Sequence, residues 1–500
     1  MKPGLSQSMR SIRSAYSTLN YEENRVLNFD EYMVMACKKF ACAYPIIIKK
    51  DIQGDDPYKS SKRSECGKSA KVCIVTQFVN EDLLADLEKG SALTHPSVTM
   101  PLNLIHEEMI PIDTLYNNMN QIVEIGIHKV KHVHRIVIQL ICLIAPYFQQ
   151  LAKISITKSN VDVYTIHELS KMLPLSYVTE VCLDQTHLAE ANYAILLNTS
   201  HLRTLSLSRC LINDEVSKLL ASKLHYMASA ETGLIALNLS SNHITDLGAK
   251  YFADALRTNR HLRYLNLADN RIGDEGAYHI LDILMEFPLT YEEIVKKRRR
   301  YLEYLKMRRA LFYKAYHEWD CKSVDESQAS KKSMPKKRRI SATSLKNKAI
   351  TKKDKPTKQS FTDEYAFCKA DMLSGEMIGP FLDPFGPKFS KIKDNYTYCT
   401  GNMCLSYLNL AYNNLTYQTL KKLHNVVLYQ SVNKKMGMQG LIKIVIDGNF
   451  MPATSPEIRM INELISKNIS AFGSKAQSEY GKRNKGTPRI SVLPERNIEK

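Results

Sequence analysis

Three histidines within seven residues, His128, His132 and His134, come closest to metal-ligand spacing, together with the cysteine pairs Cys37/Cys42 and Cys399/Cys404. A tetrahedral zinc site needs four such ligands, commonly as two close pairs. Neither cysteine pair has an evident second pair, and the histidines have no CxxC or carboxylate partner nearby in sequence. Surface or turn histidines are the simpler reading. Gly67-Lys68-Ser69 matches the end of a phosphate-binding loop, whose backbone amides cradle phosphate oxygens. The glycine that should open that loop falls at position 62, which is Lys62, so the motif fails. No nucleophile beside a base stands out. The sequence implies no catalytic residue, no metal, no cofactor and no small-molecule substrate.

The informative spacing is that of leucine and asparagine. Leu234, Leu237, Leu239, Asn242 and Ile244 fill the frame LxxLxLxxNxL, as do Leu262, Leu265, Leu267, Asn270 and Ile272. Leu202, Leu205, Leu207 and Ile212 keep it with Cys210 in the asparagine slot. Two later copies run through Leu405, Leu408, Leu410, Asn413 and Leu415, and through Leu441, Ile444, Ile446, Asn449 and Met451. Weaker copies lie upstream at Leu151–Val161, with Ser159 in the slot, and at Val178–Leu188, with Thr186. Ile122, Ile125 and Ile127 begin the array. Start-to-start spacings are 29, 27, 24, 32, 28, 143 and 36 residues, so the long gap is an insertion.

Each frame predicts a short strand and a turn. Alternate strand residues share a face, so the apolar slots point inward and stack on the next copy. The asparagine amide can satisfy backbone groups at the inward turn that would otherwise be buried unpaired; Cys210, Thr186 and Ser159 can do this only in part. Asp214, Asp246 and Asp274 follow at one offset and read as N-caps of the helices after them. Helical periodicity appears at Phe252, Ala253 and Leu256, and at Ile280, Leu281 and Leu284. Gly248-Ala249 and Gly276-Ala277 supply small residues where each helix meets its neighbour.

This strand–turn–helix pattern, repeating near 28 residues, resembles the ribonuclease-inhibitor-type leucine-rich repeats. The resemblance implies an α/β leucine-rich-repeat solenoid, a ribonuclease-inhibitor-like horseshoe with a concave parallel sheet, convex helices and a long basic helical and disordered insertion. That subfamily includes the ribonuclease inhibitor, the Ran GTPase-activating protein and scaffolds of cilia and flagella. The order of repeats, charged insertion and basic tail is similar to a ciliary, axonemal family, the leucine-rich repeat-containing protein 71 family. The resemblance implies a non-enzymatic protein-binding scaffold.

The predicted organisation is a flexible N-terminus at 1–30, a cap region of unassigned fold at 31–120 and a first repeat block at 121–288. A basic amphipathic helix at 289–320, a disordered basic linker at 321–360 and an ordered loop region at 361–404 follow. The last repeats and a C-terminal cap occupy 405–470, and a flexible basic tail 471–500. The chain's formal charge is +18. Between Tyr291 and Ser360, 22 lysines and arginines face 8 acids, so this stretch holds +14 of it. Thr290 and Glu293 form a capping box. Ile294, Tyr301, Leu305, Phe312 and Tyr316 make one apolar stripe on a helix ending near Trp319.

Two surfaces emerge. Frame positions 3, 5 and 7 point into the concave groove, and its candidate protein-binding residues are Thr204, Ser206, Asn238, Tyr264, Asn266, Tyr407 and Asn409, with the tyrosines as anchors. A solvated asparagine ladder that favours the strands is the bland alternative. The groove is neither basic nor rich in aromatics, which argues against nucleic acid there. The second surface is cationic: Lys296, Lys297, Arg298, Arg299, Arg300, Arg308, Arg309, Lys336, Lys337, Arg338 and Arg339. It suits an acidic partner such as tubulin or another axonemal protein. Pro335–Arg339 also has the form of a nuclear-import signal, and Ser341 that of a basophilic-kinase phosphosite. The alternatives are a nuclear adaptor using the basic insertion on nucleic acid and a small-GTPase regulator of the Ran-activator type. The latter is disfavoured because the Ran activator's segment after its repeats is acidic. Eleven cysteines without regular pairing fit a reducing compartment. The apolar run Ile136–Phe148 is too short to span a bilayer. Residues 1–20 are polar and basic with no apolar h-region, so a secretory signal is not expected. The expected location is the cytoplasm and cytoskeleton, in a cilium or flagellum, with the nucleus as alternative.

Overall fold

The computed structural model describes residues 28–42, 44–52, 71–74, 109–329, 358–433, 438–452 and 454–476. The chain divides into two compact units, 1–287 with 400–500, and 288–399.

The first unit is built on one sheet of eleven described strands. It opens with helix α1 (Phe29–Lys39), β1 (Ile46–Ile52), β2 (Lys71–Ile74), β3 (Ile110–Tyr116) and β4 (Ile122–His128). Helix α2 (Arg135–Ile144), β5 (Lys153–Thr157), α3 (Val163–Met172) and β6 (Glu180–Cys182) follow. The repeats proper supply β7 (Thr204–Ser206), α4 (Asp214–Ser222), β8 (Ala236–Asn238), α5 (Asp246–Leu256), β9 (Tyr264–Asn266) and α6 (Asp274–Asp282). A two-residue strand, β10 (Phe287–Pro288), lies at the unit boundary. The second unit holds α7 (Tyr291–Ala329), α8 (Lys358–Ile378), β11 (Ser390–Lys393) and β12 (Tyr396–Cys399). The first resumes with β13 (Tyr407–Asn409), α9 (Tyr417–Asn433), β14 (Lys443–Val445) and α10 (Pro456–Ala476).

From β4 to β14 the sheet is parallel, in the order β4-β5-β6-β7-β8-β9-β13-β14. Leu205, Leu237, Leu265 and Leu408 lie in register and are fully buried. Each such side chain withdraws about 2 kcal/mol worth of apolar surface from water. The insertion leaves no step: Leu408 follows Leu265 as regularly as Leu265 follows Leu237. The cap region, unassigned from sequence, continues the sheet: β3 pairs antiparallel with β4, β1 parallel with β3, and β2 antiparallel with β1. The β3–β4 reversal is a turn closed by Asn117, whose side-chain oxygen accepts from the Met119 and Gln121 amides.

The turn asparagines tie neighbouring repeats together. Asn242 donates to the carbonyls of Leu239 and Leu207, one in each repeat, both at 2.9 Å. Its oxygen accepts from the amides of Cys210 and Ile212 at 3.0 Å. Asn270 and Asn413 repeat the arrangement one step on. Thr186 and Cys210 reach fewer groups: Thr186 donates to Leu183 at 2.6 Å, and Cys210 Sγ to Leu183 at 3.1 Å. The residue before each slot has positive φ: Lys158, Gln185, Arg209, Ser241, Asp269, Tyr412 and Gly448. This left-handed conformation is costly for a residue with a Cβ. It turns the amides of Gln185, Arg209, Ser241 and Asp269 onto carbonyls of the following repeat at 2.7–3.0 Å.

The aspartates do not cap the helices expected. α4, α5 and α6 begin at Asp214, Asp246 and Asp274, so each aspartate is the first helical residue, and Asn213, Thr245 and Gly273 are the caps. The carboxylates reach across to the next repeat. Asp214 accepts from the Thr245 and Gly248 amides at 2.9 and 3.0 Å, and Asp246 from Gly273 and Gly276 at 2.6 and 3.0 Å. The glycines are there for this carboxylate. A Cβ at Gly248 would lie 2.5 Å from Asp214 Oδ1, and one at Gly276 2.5 Å from Asp246 Oδ1.

In the second unit the capping box forms as read: Thr290 and Glu293 exchange bonds at 2.8 and 3.2 Å. Helix α7 runs ten residues past Trp319 to Ala329, so 321–329 is helical rather than disordered; no glycine or proline there breaks the helix. The 361–404 region is not a loop. Its first half is helix α8, and β11 and β12 form an antiparallel hairpin after it. Helices α7 and α8 run antiparallel: Tyr304 bonds the Gly379 carbonyl at 2.9 Å, and Phe312 meets Phe367 edge-on at 4.9 Å. Toward α8 and the segment after it, α7 turns Arg300, Tyr304, Arg308 and, from the expected stripe, Phe312, while Tyr301 and Leu305 stay 46% and 38% exposed.

Candidate binding face

Along β7, β8, β9 and β13 the middle residue is buried and its neighbours half-buried, as in Thr204-Leu205-Ser206, and in β14 Lys443 is exposed. Positions 3, 5 and 7 therefore share the open side of the sheet, and parallel pairing sets them in rows. The first row reads Glu124, Lys153, Glu180, Thr204, Ala236, Tyr264, Tyr407, Lys443. The second reads Gly126, Ser155, Cys182, Ser206, Asn238, Asn266, Asn409, Val445.

All seven residues expected on this face belong to these rows. Tyr264 and Tyr407 stack at 4.1 Å between ring centroids, 9° from parallel. Lys443 Nζ lies 5.7 Å from the Tyr407 ring centre, within cation–π range. Burial, and then the neighbouring Tyr407 hydroxyl, push the Tyr264 phenol far above its usual range, so it stays neutral. Asn238 Nδ2 donates to Ser206 Oγ at 2.9 Å, and Ser206 donates to Asp184 at 2.6 Å. Asp184 also accepts from the Ser208 amide at 2.9 Å. Asn238, Asn266 and Asn409 each accept from the amide two residues on, at 3.2, 3.1 and 3.0 Å. The asparagine ladder therefore stabilises the strand ends. The tyrosine pair stacks ring on ring instead.

Asp184 was missed in the sequence, though it fills position 7 of the weak Val178 copy. The acidic end of the face was missed with it. Asp51, Asp113, Glu124, Glu180 and Asp184 share the open side of β1 to β6 and its turn with Lys49 and Lys153. Lys153 is engaged by Glu124 at 3.0 Å. In a chain of +18 this end of the sheet carries more carboxylates than the lysines beside them, opposite in sign to the whole.

His128, His134 and Cys37 have neighbours that account for them structurally. His128 Nδ1 lies 2.7 Å from Thr157 Oγ1, and His134 stacks on Tyr44 at 3.6 Å. Burial, with His132 beside it, holds the His134 imidazole below its usual range. Burial and the neighbouring Cys42 push the Cys37 thiol up to about 12, far from a reactive thiolate.

A family model described as Leucine Rich repeat matches residues 234–253, 258–281 and 401–423. These are β8–α5, β9–α6, and β13 with the start of α9. The chain carries leucine-rich repeats. No curated protein matches it. Leucine-rich repeats commonly mediate protein–protein contact.

The expected cations are divided by the second unit's packing. Arg300 is joined to the fully buried carboxylate of Asp383 at 2.6 Å, and Arg308 to Asp371 at 2.8 Å. Both ion pairs lie within the second unit, the first with its carboxylate buried and the second exposed. Lys296 lies 3.6 Å from Glu292 with both side chains largely exposed. Arg298, Arg299 and Arg309 are exposed and Lys297 half-buried. Lys336, Lys337, Arg338, Arg339 and Ser341 lie outside the described residues.

Proposed function

We propose that this chain is a non-enzymatic scaffold that holds two kinds of protein at once. One docks on the open sheet face through Tyr264 and Tyr407; the other, of acidic character, is drawn to the exposed cations of α7. The observation that carries this reading is the separation of sign: carboxylates cluster on the sheet at β1 to β6, while Arg298, Arg299 and Arg309 stand on the second unit. One acidic ligand would not favour both.

The setting we propose is a cilium or flagellum, with tubulin or another axonemal protein as the acidic partner. It rests on the resemblance to the leucine-rich repeat-containing protein 71 family and on the charge of residues 291–360. Curvature of the sheet into a horseshoe belongs to the same reading.

The test is capture of partners by the full-length tagged protein from ciliated cells. Y264A/Y407A should lose one set of partners and R298E/R299E/R309E another, including tubulin. Loss of a single common set by both variants would refute the two-surface scaffold. Imaging of the tagged protein decides between axoneme and nucleus.

A further inference from the structure

Helix α7 turns one side to α8 and leaves a second side open. Leu302, Leu305 and Tyr313 on that side are 57%, 38% and 47% exposed. With Arg298 and Arg309 they follow one another at steps of 4, 3, 4 and 4, the spacing of a single helical face. The stripe borders aromatic rings that are already fixed: Tyr301 meets Phe381 at 5.2 Å, and Phe312 meets Phe367 at 4.9 Å. Between Tyr291 and Glu318, the helical period places Glu303 on the far side from Leu302 and Leu305, and no other acid falls near the stripe. Arg309 folds over Tyr313, its guanidinium 5.5 Å from the ring centre.

We propose that this stripe is the seat of an amphipathic α-helix with acidic flanks, supplied by a protein partner and completing a three-helix arrangement with α7 and α8. The inference rests on the acidic partner proposed above and specifies its form. Leucines at a helical period call for an apolar ridge opposite them, which an unstructured acidic tail lacks. Arg309 interrupts the apolar row and Arg298 ends it, so acidic flanks on the incoming helix would set a carboxylate opposite each. A lipid surface prefers its cations on the flanks of an uninterrupted apolar face. A second copy of α7 would set like charges together.

The experiment uses the full-length protein and four probes in fluorescence anisotropy. These are a synthetic helix of about four heptads with leucine at the core positions and glutamate on the flanks, its lysine-flanked counterpart, an unstructured Glu/Gly peptide of equal charge, and vesicles of phosphatidylcholine with phosphatidylserine. The glutamate-flanked helix should bind, and the unstructured peptide at least about tenfold more weakly. L302D/L305D should weaken the helix about tenfold or more, and R298E/R309E should transfer preference to the lysine-flanked helix. All four positions are exposed, and an unchanged circular dichroism spectrum and Tm certify the fold. Equal binding of helix and unstructured peptide, or indifference to L302D/L305D, overturns the proposal while leaving a purely electrostatic acidic partner standing. Vesicle binding abolished by L302D/L305D would assign the stripe to lipid and overturn it too. Failure of every anionic probe would sink this inference and the acidic-partner reading together.

Discussion

Tyr264 and Tyr407 lie ring on ring, 4.1 Å apart and nearly parallel, although the whole of unit 288–399 separates them in sequence. Their strands pair directly, Tyr407 opposite Tyr264 and Asn409 opposite Asn266. A repeat sheet adds strands by fitting one leucine layer to the next, so an excursion that returns in register costs chain entropy but no packing.

The tyrosine pair is the first point to test. A parallel aromatic stack contributes about 1 kcal/mol beyond the area it buries. A double-mutant cycle of Y264A, Y407A and Y264A/Y407A in urea unfolding should return a coupling of that size. Additive losses would show that the rings do not stabilise each other.

Gly248→Ala decides the role assigned to the aspartates. Helix propensity alone favours alanine by about 1 kcal/mol. The added Cβ would lie 2.5 Å from Asp214 Oδ1 and 2.6 Å from Ile244 Cγ2, displacing the carboxylate from its cross-repeat amides. We expect a net loss of about 2 kcal/mol, the scale of overpacking. A stabilised G248A in thermal denaturation would count against the cross-repeat cap.

Asn242→Ala should cost about 3 kcal/mol or more. It strands the amides of Cys210 and Ile212 and the carbonyl of Leu207 in the interior, while the Leu239 carbonyl keeps its bond from Asn270. Hydrogen exchange should show amides in both adjoining repeats losing protection; a loss confined to one repeat would contradict the bridging geometry.

Asp274 makes acid stability measurable. Burial works to raise its pKa, but bonds from Thr416 and Thr419 outweigh that and hold it below the ordinary aspartate value. The folded value is thus lower than the unfolded one. Its contribution is complete above about pH 4 and is lost as the pH falls through the folded value. D274N should unfold more readily at neutral pH and show a shallower stability change between about pH 4 and 2. Equal acid dependence of variant and parent would remove Asp274 from the acid response.

In the second unit, Arg300→Gln leaves the buried Asp383 carboxylate without its ion pair. Removing one member of a buried pair costs about 3 kcal/mol or more. The α7–α8 hairpin should become protease-sensitive while the repeat unit keeps its exchange protection.

What the sequence determined is whatever a local period can carry. Leucines at fixed offsets and an amide at the turn specify strand, turn and inward face within one repeat, because each feature is satisfied by residues a few positions away. Thr290 and Glu293 were legible for the same reason. The tertiary structure decided everything that needs a partner from elsewhere in the chain. Asp214 is positioned like a cap for its own helix, yet its carboxylate finds free amides in the next repeat. The strands at 46–52 and 110–116 have no leucine frame and join the sheet only because β4 offers an edge. Arg300 and Arg308 look like free cations until α8 brings Asp371, and the segment after it Asp383, to them. A carboxylate or a sheet edge takes its role from the group that meets it, and in this chain that group lies tens of residues away.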